Sequence, residues 1–164
     1  MKKHLLTVLV QNKSGVLSRV SGLFARRGYN IESLVVCSTE DVNLSRMTIV
    51  AWADENVICQ MTRQLNKLVD VVTLATLDEE LCAVRELLML KISASPTQRT
   101  EIDAACNIYK AEIIDLSPNS LIIELTGKSS KLDAFIALMS PYNIIELTRT
   151  GLNALHRGSQ KLRG

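Results

Sequence analysis

Asn12-Lys-Ser-Gly-Val-Leu-Ser-Arg-Val20 is the stretch whose reading decides the fold. An apolar run at residues 5–10 feeds into it, and helical spacing begins inside it. Val16, Val20, Leu23 and Phe24 fall at i, i+4, i+7 and i+8, which is one face of a helix. Ser14 is a candidate N-cap, able to offer its side-chain oxygen to the first free amides. Gly15 has no Cβ, so a ligand can approach the backbone there. Arg19, Arg26 and Arg27 fall mostly off the apolar face, and Gly28 is placed to end the helix. A strand, a glycine-containing loop and a helix N-terminus together suit an anion or a carboxylate. Most helix N-termini bind nothing, so the motif alone does not separate a binding loop from an ordinary strand-to-helix turn.

Outward from this stretch the first half keeps a simple order. Residues 30–38 read as a second strand and Glu40-Asp41-Val42-Asn43 as a turn. Residues 45–53 alternate as a third strand, with Arg46, Thr48, Val50 and Trp52 opposite Met47, Ile49 and Ala51. Asp54 opens a second helix carrying Val57, Ile58, Met61, Leu65 and Leu68 at helical spacing, and residues 69–76 close the unit as a strand. The charge run Asp78-Glu79-Glu80 marks a boundary, and the order then repeats. Residues 86–93 are a strand, and Ser95-Pro96-Thr97-Gln98 has the form of a capping box before a short helix burying Ile102, Ala105, Cys106 and Ile108. Strands at 111–116 and 121–126 flank a turn at Ser117-Pro118-Asn119-Ser120. A helix at 131–139 stops at Pro141, and residues 143–149 form the last strand. The tail from Gly151 has no firm periodicity.

Two β-α-β-β-α-β units of this kind predict an α+β chain of two ferredoxin-like sandwiches, divided as residues 1–77 and 78–164. Near-continuous apolar strands such as Leu87-Leu-Met-Leu90 suggest further burial by pairing of subunits.

Composition narrows the function. A chain of 164 residues that is 47% hydrophobic and 22% charged is that of a folded, soluble protein. The formal charge of +2 gives no broad basic field, so nothing calls for nucleic acid. The local basic cluster His156, Arg157, Lys161 and Arg163 reads as a solvated tail. No window approaches the ~20 apolar residues of a membrane helix, and the N-terminal apolar run is too short for a secretory signal. A cytoplasmic location is the expectation. Cys37, Cys59, Cys82 and Cys106 are far apart, each among apolar neighbours as core residues are, and the two histidines stand near opposite ends. No metal site is expected.

Catalysis finds little support. Neither His4 nor His156 is placed to serve a nucleophile. Gly127-Lys128-Ser129 looks like the end of a P-loop, but Ile122 stands where that motif needs its first glycine. Binding remains. Asn12 precedes the loop and Asn30 opens the second strand, which this topology places at the opposite end of the first helix. Asn30 would therefore meet Gly15 of a two-fold partner rather than its own. On the residues alone, the asparagines can equally be turn residues.

The segment Gln11-Asn-Lys-Ser-Gly-Val-Leu-Ser-Arg-Val-Ser-Gly-Leu-Phe-Ala-Arg-Arg-Gly-Tyr-Asn-Ile-Glu-Ser-Leu34 closely resembles the opening of acetolactate synthase (acetohydroxyacid synthase) small subunits. The likeness continues through Leu44-Ser-Arg-Met-Thr-Ile49, Gln64-Leu-Asn-Lys-Leu-Val-Asp-Val71 and Arg85-Glu-Leu-Leu-Met-Leu-Lys91. It also takes in Gly127-Lys-Ser-Ser-Lys-Leu-Asp-Ala-Phe135, Arg149-Thr-Gly151 and Leu155-His-Arg-Gly158, and so covers essentially the whole chain. The resemblance implies an N-terminal ACT domain, a second ACT-like domain, and neither an active site nor a cofactor of its own. It implies a catalytic large subunit as partner, carrying thiamine diphosphate, magnesium and FAD. That partner would be activated by this chain and inhibited through it by valine, with leucine and isoleucine as alternatives. By the same resemblance the effector sits between two paired ACT domains. Asn12, Gly15, Val16 and Leu17 would come from one copy, and Asn30 and Ile31 from the other. Amides of residues 15–17 would hold the carboxylate, and Leu17 and Ile31 would wall the side chain. The competing readings are a free-standing ACT-type amino-acid sensor with another partner, and an enzyme in its own right.

Overall fold

The computed structural model describes residues 1–162. In chain order its elements are β1 (Lys2–Gln11), α1 (Val16–Arg26), β2 (Ile31–Ser38), β3 (Leu44–Ala53), α2 (Glu55–Leu65) and β4 (Val71–Leu77). They continue as β5 (Cys82–Ser93), α3 (Arg99–Tyr109), β6 (Glu112–Ser117), β7 (Ser120–Gly127), α4 (Ser129–Met139), β8 (Ile144–Arg149) and β9 (Asn153–His156). Pro141 sits in a short 3-10 turn, Ser140–Tyr142, directly after α4.

The first compact unit is Met1–Val84 together with the segment from Leu152 onward, and the second is Arg85–Gly151. Both are antiparallel sheets of the same strand order, β2-β3-β1-β4 in the first and β6-β7-β5-β8 in the second. This is the expected pair of ferredoxin-like sandwiches.

In the first unit, alternation along the strands sorts side chains to two faces. Leu6, Val8 and Val10 of β1 and Met47, Ile49 and Ala51 of β3 pack under Val16, Val20, Leu23 and Phe24 of α1 and Ile58, Met61 and Leu65 of α2. The opposite face is covered too. Leu5, Val50 and Leu77 form a second cluster with Cys82, Val84, Leu152 and Ala154. The expected boundary at 77/78 therefore falls inside a packed segment, and the compact units place residues 78–84 and those from 152 onward with the first domain. The tail from Gly151, which shows no firm periodicity in sequence, contains a strand, β9, with Leu152 and Ala154 buried, while Arg157 and Lys161 of the basic cluster are exposed as expected. Of the basic cluster, Arg163 lies outside the described residues.

The second unit buries Leu88, Leu90 and Ile92 of β5 and Leu121, Ile123 and Leu125 of β7 beneath Ile102, Cys106, Leu132, Phe135 and Met139. Ile108 points outward, against expectation, because the stripe of α3 is set by Ile102 and Cys106. Nor is α3 short, at 11 residues. Burial pushes the Cys106 thiol up to about 11, with Asp103 adding to the effect, so it stays protonated. Cys37 and Cys59 are exposed rather than core residues. No helix among the described residues is long and apolar enough to cross a membrane.

Candidate functional site

The loop between β1 and α1 is held from both sides. The Gln11 amide donates to the Asp70 carbonyl at 2.8 Å and the Asn12 amide to the Asn43 carbonyl at 2.7 Å. Asn12 Nδ2 donates to the Val42 carbonyl at 3.0 Å, which orients its Oδ1 as a remaining acceptor. A cleft of about 340 Å³ opens beside Asn12, lined also by Gln11, Lys13, Asn43, Leu44 and Val72.

The helix cap differs from expectation. Gly15, not Ser14, is the N-cap of α1, with φ +81° and no side-chain cap bond. An L side chain is strained at that φ, and a Cβ there would stand 3.2 Å from Arg19 Nη1. The Val16 amide donates to the Lys13 carbonyl at 3.4 Å and the Arg19 amide to the Gly15 carbonyl at 3.0 Å. Among the described residues, the amides of Gly15, Leu17 and Ser18 meet no acceptor. The open set thus differs from residues 15–17 by one member, Ser18 standing in place of Val16.

Val16 is only 3% exposed and its side chain belongs to the core, so it cannot line a surface site. Leu17, at 45% exposed, can. The reading from sequence missed Arg19 and Asp70. Arg19 lies one helical turn after Gly15, and its Nε donates to Asp70 Oδ2 at 2.6 Å. Asp70 is 7% exposed, so a nearly buried carboxylate fixes a half-exposed guanidinium over the glycine. The i, i+4 spacing from Gly15 was a usable signal for Arg19. No local signal pointed to Asp70.

Asn30 and Ile31 stand elsewhere. Gln11 pairs with Leu44, whereas Ile31 pairs with Ala51. Those positions on β3 are seven residues apart, so the two halves lie roughly 20 Å apart along the sheet. Asn30 is exposed and makes no side-chain hydrogen bond among the described residues. It borders a cleft of about 290 Å³ with Tyr29, Trp52, Val57 and Met61. Ile31 packs partly on the core. Within one copy, therefore, the Asn12–Gly15 loop and the Asn30–Ile31 pair cannot meet.

The corresponding loop of the second unit is closed by its own side chains. Gln98 Oε1 accepts from the Ser95 amide at 3.0 Å and from Ser95 Oγ at 2.9 Å. The capping-box contact forms, but α3 begins only at Arg99, and residues 95–98 are a turn. Arg99 Nη2 donates to the carbonyls of Ser117 and Pro118. The P-loop-like Gly127-Lys128-Ser129 is structural. Ser129 Oγ donates to Glu86 Oε2 at 3.1 Å, and Glu86 also takes Arg149 through two bonds at 2.6 and 2.9 Å. Among the described residues no group of three or more His, Cys, Asp or Glu could hold a metal ion.

Two families match the chain. The one described as an AHAS small subunit-like ACT domain covers residues 6–73, and the one described as the small subunit of acetolactate synthase covers residues 85–158. A probable acetolactate synthase small subunit of Archaeoglobus fulgidus is 50% identical over 159 residues, 97% of this chain and 99% of that protein. The small subunit of acetolactate synthase isozyme 3 of Salmonella typhimurium is 45% identical over 98% of this chain and 99% of its own. The crystal structure of an acetolactate synthase small subunit from Thermotoga maritima superposes with a TM-score of 0.91 at 38% identity, covering 98% of this chain and all of the other.

Proposed function

This chain belongs to the acetolactate synthase small-subunit family, and from that membership we propose that it regulates the enzyme by binding valine between two copies of its N-terminal ACT domain. The observation that carries this reading is the separation of the half-sites. The Asn12–Gly15 loop and Asn30 lie at opposite ends of one sheet, so a two-fold partner is what can bring them together.

In such a pair the carboxylate of valine accepts from the open amides of Leu17 and Ser18 at the positive end of α1, under the guanidinium of Arg19. The ammonium is met by Asn12 Oδ1 and by Asn30 of the other copy. Leu17 and Ile31 flank the isopropyl group. Leucine and isoleucine offer the same polar groups and differ only in what the apolar wall must hold.

Bound valine lowers activity only if it prefers the less active arrangement of the complex. The partner in this proposal is the catalytic large subunit, which supplies thiamine diphosphate, magnesium and FAD. The small subunit activates it in the cytoplasm and contributes no cofactor. The test is calorimetric titration of the purified chain with valine, leucine and isoleucine, beside assays of the reconstituted enzyme. Saturable valine binding, matched by inhibition of an enzyme that the chain activates, is the expected result. Activation without binding of any of the three would overturn the effector assignment.

A further inference from the structure

Two of the sequence segments quoted above carry residues that the loop site does not use, and these converge elsewhere in the first unit. Arg46 comes from Leu44-Ser-Arg-Met and lies on the sheet face away from the helices. His156 and Gly158 come from Leu155-His-Arg-Gly, in and just after β9. Between them is a cavity of about 310 Å³, within the size range of small-ligand sites.

Its wall has a definite chemistry. Arg46 and Lys161 bring two cations, and Leu9, Leu44 and Leu155 bring an apolar surface. Among the described residues Arg46 has no carboxylate within ion-pair distance, and its bond to the Ala154 carbonyl is long, at 3.5 Å. Lys161 has no ion-pair partner among the described residues either. Glu40, also on the wall, already has an interaction partner. His156 Nδ1 lies 3.8 Å from Cys82 Sγ. Burial pushes that thiol up, with Asp78 adding to the effect, so it stays neutral and supplies no anion.

We propose that this cavity, where Arg46 of β3 and Lys161 after β9 converge over Leu9, Leu44 and Leu155, is a second ligand site for a short aliphatic carboxylate without an amino group. The cations take the carboxylate and the leucines hold the chain. An ammonium would be repelled by the two cations, which outnumber Glu40, the one carboxylate on the wall, so 2-oxo or hydroxy acids fit better than amino acids. The site is distinct from the loop site and does not rest on the valine assignment. It shares one residue with the cleft beside Asn12, since Leu44 lines both.

The experiment is a titration of the full chain with 3-methyl-2-oxobutanoate, followed by ligand-observed NMR and calorimetry, with valine and inorganic phosphate as competitors. Saturable binding in the millimolar range or tighter is expected, weakened about tenfold in Arg46→Gln and in Lys161→Gln. Lys161→Gln lies on an exposed position and guards against a folding defect in the other variant. Valine is expected not to compete for the same site. Three results would overturn the proposal: no saturable binding, equal binding by both variants, or displacement by phosphate at equal strength, which would mark a simple anion site. Because valine binding is measured in the same samples, loss of one reading is separable from loss of the other.

Discussion

The two units share strand order and helix placement and differ at the one loop where function would sit. In the first unit the strand-to-helix loop carries a glycine at φ +81°, open amides and an arginine fixed by a nearly buried aspartate. In the second unit the same topological position is filled by Gln98, which satisfies Ser95, and by Arg99, which ties the loop to the β6–β7 turn. One loop keeps its hydrogen-bonding capacity for something outside the chain, and the other spends it internally. The fold is common to both. On the proposed function, this difference in loop chemistry is what would separate a binding unit from a structural one.

That contrast can be broken most strongly in the second unit. Glu86 is 6% exposed and Arg149 is its cation, held protonated by that hydrogen bond. Arg149→Met leaves a buried carboxylate without its partner, and the expected loss of stability is about 3 kcal/mol. Urea unfolding would register it, with the valine affinity of the surviving folded protein unchanged.

In the first unit, Gly15→Asp places a negative charge where the proposed effector's carboxylate would sit, on a backbone that disfavours any L side chain. Valine affinity is expected to fall about 100-fold or more, while the large subunit is still activated. Gly15→Asn, whose side chain tolerates the left-handed region and carries no charge, is the control and is expected to retain more binding. Loss of activation in both variants would point to damage to the fold instead.

Arg19→Gln tests the feature that the second unit lacks. Arg19 is half exposed, so screening keeps its contribution to stability to about 1 kcal/mol. The effector affinity is expected to drop about tenfold, read by calorimetry. The smallest effect belongs to Gln98→Ala, which opens the closed loop. It is expected to cost under about 1 kcal/mol in thermal or urea unfolding, without creating a valine site.

Much of this was legible in the residues. The i, i+4, i+7 stripe of α1 and the alternation of β3 placed their elements, and the repeat of the order gave both sheets. The separation of Asn30 from Gly15 followed from topology. The helix start did not, because Ser14 has the side chain of a cap while Gly15 has the backbone freedom that the turn at φ +81° requires. Val16 was drawn into the site by its place in the motif, although the same helical stripe that identified α1 buries it. Asp70 stands 51 residues from Arg19, and nothing local announces the pair. The return of Leu152 and Ala154 to Leu5 and Val50 was equally hidden, since short segments without periodicity reveal their partners only once the chain is folded.

The most direct measurement mixes two defective copies. Gly15→Asp and Asn30→Ala each remove one half-site, so neither variant alone is expected to bind valine. If the effector is held between two copies, a mixed dimer has one site with both lesions and one with none. Valine binding should then return on mixing, at about one valine per mixed dimer. Continued absence of binding, with subunit exchange verified, would contradict the account and place the effector within a single copy.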